Sequence, residues 1–325
     1  MTISRYQVEV SPMVSVSPLH TEQPAAAFTA DEIALFKSLQ TKPDVAWPTM
    51  ILLLVGCAYV SAIGYLTMQM HMLPVLTGGV LAGIGGYFLF SPIHDALHRS
   101  VSRYSWVNDF IAILTVNLML PYSSHKLLRW GHMQHHRFTN EHAKDPDKFL
   151  TDSWHAPITA WPFFELFYVP DYWQHRHERP RAEVIQVFTQ LVLGIALLAL
   201  MVWWQGLWFF VYWFTVSRVA LWLIVAVFVY LPHQPHTVLQ KDFPYQATLL
   251  RTGKEWLLTP LMAYQNWHLV HHLYPNVPFY RYKQVWKARE QFHESQRPAR
   301  VRAFQLVPHH LHQPEDSSSW TNANN

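Results

Sequence analysis

Four long apolar runs constrain this chain more than any other feature: residues 48–69, 73–92, 185–204 and 207–231. The first three hold no charged side chain, and the fourth holds one, Arg218. Each reaches the ~20 residues that a helix needs to cross hydrocarbon. A bilayer offers no water to backbone N–H and C=O groups, so runs of this kind become helices rather than open strands. Short connections at about residues 69–73 and 205–207 pair the runs into two hairpins. The expected fold is an all-α integral membrane protein with four transmembrane helices and a helical cap on one side.

Charge decides which side. Ten basic residues lie between 99 and 183, including Arg99, Arg103, Arg179 and Arg181 close to span ends, whereas the two short connections contain none. By the positive-inside rule both termini and the cap are cytoplasmic. Residues 1–46 lack a basic start, an apolar core and a small-residue cleavage site, so the expectation is a cytoplasmic tail with one surface helix near Thr29–Phe36. Residues 107–120 and 158–168 are apolar or aromatic but too short to span, and are expected to lie at the membrane interface or re-enter it. Residues 313–325 read as a disordered tail. A net charge of +3 argues against a nucleic-acid partner. The single cysteine, Cys57, excludes a disulfide framework and a built-in iron–sulfur cluster.

The polar remainder is dominated by histidine, 21 residues against 24 Lys and Arg together. His94 and His98 are four apart; His132, His135 and His136 stand at i, i+3 and i+4, and His268, His271 and His272 repeat that pattern. On a helix each group shares one face. Eight imidazoles from three segments exceed one ion's coordination shell and suggest two ions close together. Imidazole suits iron, zinc, copper and nickel alike. A neutral nitrogen-rich site beside long apolar helices implies a water-insoluble substrate and favours iron, whereas zinc, with no redox chemistry, would point to hydrolysis or structure. The remaining histidines carry less signal. His20, His293, His309, His310 and His312 are expected to be solvated, His125, His142, His155, His175 and His177 to be surface or structural, and His71 to sit on the outer connection.

The residues around the clusters carry a resemblance. His94-Asp95-Ala96-Leu97-His98, Gly131 to Asn140 with Asp145-Pro146-Asp147, Tyr230-Leu231-Pro232-His233, and Asn266 to Pro275 resemble the membrane fatty acid desaturase superfamily. In motif detail they are most similar to bacterial-type beta-carotene hydroxylases. The resemblance implies a membrane domain over residues 47–312, two iron ions, O2 as co-substrate, and electrons from a donor of the ferredoxin or cytochrome b5 type. It also implies a bacterial inner membrane as the setting. A ninth ligand is implied at the end of the fourth span, where His233 matches and His236 competes. Asp95, Asn140, Asp145 and Asn266 match flanking positions, where orientation of imidazoles through their second nitrogen is the physical role to expect.

The expected activity is O2-dependent oxidation of C–H bonds in a long apolar lipid, by fatty acyl desaturation or carotenoid hydroxylation. A terminal-alkene-forming fatty acid decarboxylase shares the same metal chemistry. A non-catalytic membrane metal-binding protein is the alternative of another class; a transporter would carry its ligands near the bilayer midplane on broken helices, whereas these follow the spans. Arg218 is left open between a functional role and structural pairing with backbone or with a polar neighbour such as Gln190.

Overall fold

Proline and glycine divide the apolar sequence into its helices. The structure is a computed structural model that describes residues 29–308. His20, His309, His310, His312 and the 313–325 tail lie outside the described residues. Helix α1 (Ala30–Gln40) opens on a capping box between Thr29 and Glu32. Helix α2 (Trp47–Met68) carries Pro48 in its first turn, where the missing N–H has no partner to lose. After a left-handed residue at His71 (φ 52°), α3 (Val75–Leu97) begins behind Pro74.

The cap elements interrupt the spans. They are α4 (Ser105–Met119), α5 (His125–Phe138), the single turn α6 (Ala156–Thr159) and α7 (Phe164–His175). Helix α8 (Arg181–Gln205) starts behind Pro180 and stops at Gly206, whose φ of 83° is costly for any other residue. Helix α9 (Leu207–Ile224) follows at once and continues through a π-helical stretch, Val225–Tyr230, and a 3-10 turn, Leu231–His233. Short elements complete the chain: β1 (Leu250–Thr252), α10 (Glu255–Leu261), α11 (His268–Leu273), α12 (Tyr282–Ala288), α13 (Glu290–Ser295) and β2 (Arg300–Arg302).

Four helical segments of 22, 23, 25 and 27 residues are long and apolar enough to cross a membrane. The second outruns the expected boundary at residue 92. Pro92 lies inside α3 instead of ending it, at the cost of one backbone hydrogen bond, so His94 belongs to the same helix as the span. Of the four, α3 is central: 61% of its most apolar window is buried, against 11% in α8. Small residues permit this. A Cβ at Gly85 would meet the Tyr59 ring of α2 at 2.5 Å, and one at Gly83 would meet Val219 of α9 at 2.7 Å. Close backbone approach of this kind replaces the hydrophobic drive that lipid cannot supply.

Helix α4 buries Ile111, Ala112, Thr115 and Val116 but exposes Trp106, Phe110, Leu114 and Leu118. These four stand at i, i+4 spacing and form an outward apolar face suited to lipid. The N-terminal piece is anchored more firmly than a tail with a surface helix: Phe36 of α1 packs edge-on against Tyr274 at 5.4 Å. Arg281 donates to the carbonyls of Leu39 and Thr41 at the end of that helix. Strands β1 and β2 pair in parallel with Leu250 opposite Arg300. At three residues each they are too short for an alternating pattern to stand out.

The tightest backbone approach is at Gly194 of α8, where a Cβ would lie 1.5 Å from the carbonyl oxygen of Pro121. Gly194→Ala is expected to cost at least about 1–3 kcal/mol, because backbone rather than a side chain must move. Thermal unfolding of the purified variant in detergent checks this.

Candidate metal centre

Each histidine is positioned by a different local device. His94 lies in the last turn of α3 and His98 is its C-cap; their rings stand 4.8 Å apart. Ser124 caps α5, which presents His132, His135 and His136 on one face. His233 follows the π-helical stretch, and His268 opens α11 directly after a 3-10 turn. The nitrogens gather into two groups with atoms within 4.8 Å of one another: His94, His98, His132, His136 and His271, and then His135, His233 and His272. His268 joins the second, its ring 4.8 Å from His233 and 4.7 Å from His272.

In four of these imidazoles Nδ1 faces an oxygen that can only accept. His135 Nδ1 donates to Asp145 Oδ1 at 2.9 Å and His233 Nδ1 to the Val229 carbonyl at 2.6 Å. His268 Nδ1 donates to Gln265 Oε1 at 2.6 Å and His272 Nδ1 to Gln240 Oε1 at 2.7 Å. In the neutral rings of His233, His268 and His272 those partners place the proton on Nδ1 and leave a bare lone pair on Nε2; His135 would offer the same lone pair once a metal ion displaces its second proton. Yet His135 Nε2 lies 3.0 Å from His233 Nε2, which lies 3.2 Å from His272 Nε2. Lone pairs this close repel unless a cation stands among them. The first group is equally crowded, with His271 Nε2 at 2.8 Å and His132 Nε2 at 3.2 Å from His136 Nε2. Both ring nitrogens of His94, together with Nε2 of His98 and of His268, are buried with no protein partner. The donor set therefore fits two metal ions.

Electrostatics agree. Burial first, then neighbouring imidazoles, holds His98, His132, His136, His268, His271 and His272 well below the usual histidine range, so they are neutral and free to ligate. His135 is the exception. Burial lowers it, but the Asp145 carboxylate outweighs burial and pushes it up to about 9, marking the second centre as a place that attracts positive charge. Asp147, raised to about 6 mainly by burial, accepts from the Tyr168 hydroxyl at 2.6 Å.

An apolar cavity of about 40 Å³ abuts both groups. Phe90, Leu97, Leu128, Phe164, Ile224 and Phe228 supply its walls, and His94, His132, His135 and His268 face into it.

All nine predicted imidazoles meet here. Asp145 touches one of them; Asp95, Asn140 and Asn266 do not. Asp95 accepts from Thr49 at 2.8 Å and from Phe279 N at 3.2 Å, tying α2, α3 and the segment before α12 together. Asn140 donates to the carbonyls of Val238 and Ala247, while its own N–H holds Asp145 Oδ2. Asn266 donates to Thr259. The imidazole partners missed by the sequence reading are Gln240, Gln265 and Tyr282, whose hydroxyl lies 3.0 Å from His271 Nδ1. Gln265 stands three residues before His268, a spacing that could have revealed it; Gln240 and Tyr282 had no such signal. His236 belongs to neither group: its ring stacks near Tyr230 at 5.3 Å.

One further expectation is corrected, and Arg218, left open above, is found in structural pairing. His293 is fully buried rather than solvated, because Tyr274 and the Trp286 carbonyl satisfy its two nitrogens. Arg218 pairs with Glu165 at 2.8 Å, the Tyr122 hydroxyl at 2.6 Å and the Pro162 carbonyl, whereas Gln190 bonds Ser124 instead.

The profile of the fatty acid desaturase family matches residues 70–303, the stretch that contains all three histidine groups. The chain belongs to this family. Among similar proteins is the sn-1 oleoyl-lipid 12-desaturase of Picosynechococcus, 36% identical over 128 residues, 37% of this chain and 31% of that protein. The enzyme of the same name from Synechocystis is 28% identical over 171 residues, 49% of this chain and 46% of that protein. That of Arthrospira platensis is 35% identical over 98 residues, 29% of this chain and 26% of that protein. The chain thus spans between about a quarter and about half the length of these desaturases.

The Arg218–Glu165 pair is almost sealed, with side chains 11% and 1% exposed. Arg218→Met is expected to cost about 3–5 kcal/mol by stranding a buried carboxylate, and Arg218→Met with Glu165→Leu to recover most of that loss. Thermal unfolding of the three proteins reads the difference.

Proposed function

We propose that this chain is a membrane-bound, O2-dependent desaturase that introduces a double bond into the acyl chain of a lipid, using two iron ions held by the nine imidazoles. The observation that carries this reading is the convergence of nine imidazoles on two centres beside an apolar cavity. His94, His98, His132, His136 and His271 would hold one ion, and His135, His233, His268 and His272 the other. The desaturase names of the similar proteins favour a double bond over a hydroxyl or a terminal alkene.

Bound iron with O2 would supply an oxidant strong enough to take hydrogen from an unactivated C–H bond. The balance is one CH2–CH2 unit, one O2, two electrons and two protons giving one CH=CH unit and two waters. The electrons come from a separate one-electron carrier of the ferredoxin or cytochrome b5 type. The chain's own residues do the rest. Phe90, Leu97, Leu128 and Phe228 hold the acyl segment by apolar contact and exclude water from the site. Asp145, the Val229 carbonyl, Gln265 and Gln240 keep the protons on Nδ1, so each Nε2 stays aimed inward. The hydroxyl of Tyr168 stays paired to Asp147, so it presents no free donor of its own for the chain to desolvate. The bacterial sources of the similar proteins support a bacterial inner membrane as the setting, and the charge pattern supports termini and metal centre on the cytoplasmic side.

Purified protein is expected to contain near two irons per chain and to consume O2 with a reductant; zinc with no redox response would sink the proposal. Lipid mass spectrometry of cells expressing the protein, against a His271→Ala control, is expected to show one added double bond. A hydroxyl or a shortened terminal alkene would redirect the assignment to one of the other reaction types. Asp145→Asn keeps shape but loses the charge behind His135, and is expected to weaken metal binding by roughly 10–100-fold. Iron content at limiting iron, with melting as the control for fold, measures it.

A further inference from the structure

Three cations gather beside the first histidine group with no anion in ion-pair contact among the described residues. Backbone bonds from Ala46 N to the Val101 carbonyl (2.7 Å) and from Arg103 N to the Pro43 carbonyl (2.8 Å) lay the segment before α2 along the segment after α3. This brings Lys42 to Arg99, and α5 adds Arg129. All three are half-buried. Burial first, then the guanidinium groups of Arg99 and Arg129, pulls the Lys42 ammonium below its ordinary value. Among the described residues none of the three takes part in an ion pair or a side-chain hydrogen bond. The neighbouring acids are engaged or distant. Glu183 is held in a two-point bond by Arg179 at 2.8 and 3.0 Å, and Asp44 pairs with Arg103. Asp109 acts on Arg129 only at longer range.

A second observation points to a ligand. Nε of Arg99 is buried with no partner, and Arg99 itself sits at a φ of 55°, in the left-handed region that a non-glycine residue avoids unless its surroundings hold it there. An unpaired buried guanidinium nitrogen is expensive. The cost is removed by an acceptor with several oxygens, which is what phosphate and carboxylate provide.

The location narrows the source. Lys42 precedes α2 and Arg99 follows α3, so both stand at the same end of two membrane-length helices. Trp47 and Trp106 flank them, 67% and 70% exposed, as aromatic rings do at headgroup level. His98 is adjacent to Arg99, and the charge of Arg129 reaches its ring.

We propose that Lys42, Arg99 and Arg129 form a binding site for the anionic head, phosphate or carboxylate, of the acyl lipid whose chain enters the cavity beside the histidines. This rests on the desaturase reading above and adds a substrate class to it: acyl lipids with a negatively charged head. Arg281, already donating to the carbonyls of Leu39 and Thr41, fixes the end of α1 and so the position of Lys42.

Equilibrium dialysis of the purified full chain in an uncharged detergent tests the site without turnover. The probes are dodecyl phosphate, dodecanoate and uncharged dodecylglycerol. The two anions are expected to bind at least about tenfold tighter than dodecylglycerol, and Arg129→Gln to weaken the anions alone by about tenfold. Lys42→Gln, on a partly exposed segment, serves as the second variant should Arg129→Gln fail to melt cooperatively. Arg103→Gln, whose partner is Asp44, is expected to leave binding unchanged.

Equal binding of charged and uncharged probes, or equal loss of both in the variants, overturns the inference. So does displacement of dodecyl phosphate by inorganic phosphate at similar concentration, which would mark a free-anion site. In an activity arm, the apparent KM for a phosphatidylglycerol rises about tenfold in Arg129→Gln with kcat unchanged, while an uncharged galactolipid is unaffected. The two readings fail separately. A chain that binds dodecyl phosphate but desaturates nothing keeps this site and loses the activity; one that desaturates lipids but binds all three probes alike does the reverse.

Discussion

The structure depends on a repulsion. The Nε2 atoms of His233 and His272, each with its proton held at Nδ1, stand 3.2 Å apart at the second centre, and nothing in that pair alone makes the arrangement favourable. Burial worsens it by removing water that would otherwise solvate the lone pairs. The fold has to impose the geometry from outside, and most of its special features serve that end. Acceptor oxygens on Asp145, Val229, Gln265 and Gln240 lock the tautomers. Glycines in α3 let α2 and α9 close around the helix that carries His94. Asp95, next to His94 in the chain but bonded to no histidine, instead staples α2 and the segment ahead of α12 to the end of α3.

Such an arrangement needs supports that cannot relax. A soluble enzyme would draw them from a hydrophobic core, but helices in lipid gain little from burying apolar surface against one another. Here rigidity comes from close backbone packing and from sealed polar contacts. The Arg218–Glu165–Tyr122 network joins α9 to α7 and to the segment ahead of α5, and α7 carries Phe164 and Tyr168 into the cavity wall. The histidine pairs themselves are poor glue, so these remote contacts set how accurately the two centres are shaped.

Periodicity made the spans and the histidine groups legible in the sequence. A run of ~20 apolar residues has one physical reading in a chain of this composition, and i, i+3, i+4 histidines have one shared face. The supports were far less visible. Gln240 and Tyr282 reach His272 and His271 across tertiary contacts that no spacing announces, and Asn140 and Asn266 turned out to hold backbone and Thr259 rather than imidazoles. His293 read as solvated because its segment is amphipathic and basic, yet Tyr274 and the Trp286 carbonyl make its burial affordable. The apolar span was legible only as far as Pro92, yet the helix runs on to Leu97, because the hydrogen bond lost at Pro92 is a small term beside the packing of the most buried of the four spans.

The π-helical stretch Val225–Tyr230 shows why site and cavity cannot be separated. Its i→i+5 bonding shifts the phase of everything that follows relative to an α-helix, and His233 comes three residues after it. In the same stretch Phe228 and Val229 line the cavity, and the carbonyl of Val229 takes the Nδ1 proton of His233. One residue thus forms wall with its side chain and fixes a metal-facing nitrogen with its backbone. A shift of the Val229 backbone is therefore felt on both sides: it moves the cavity wall and, through the Nδ1 bond, the ring of His233, whose Nε2 stands 3.0 Å from His135 and 3.2 Å from His272.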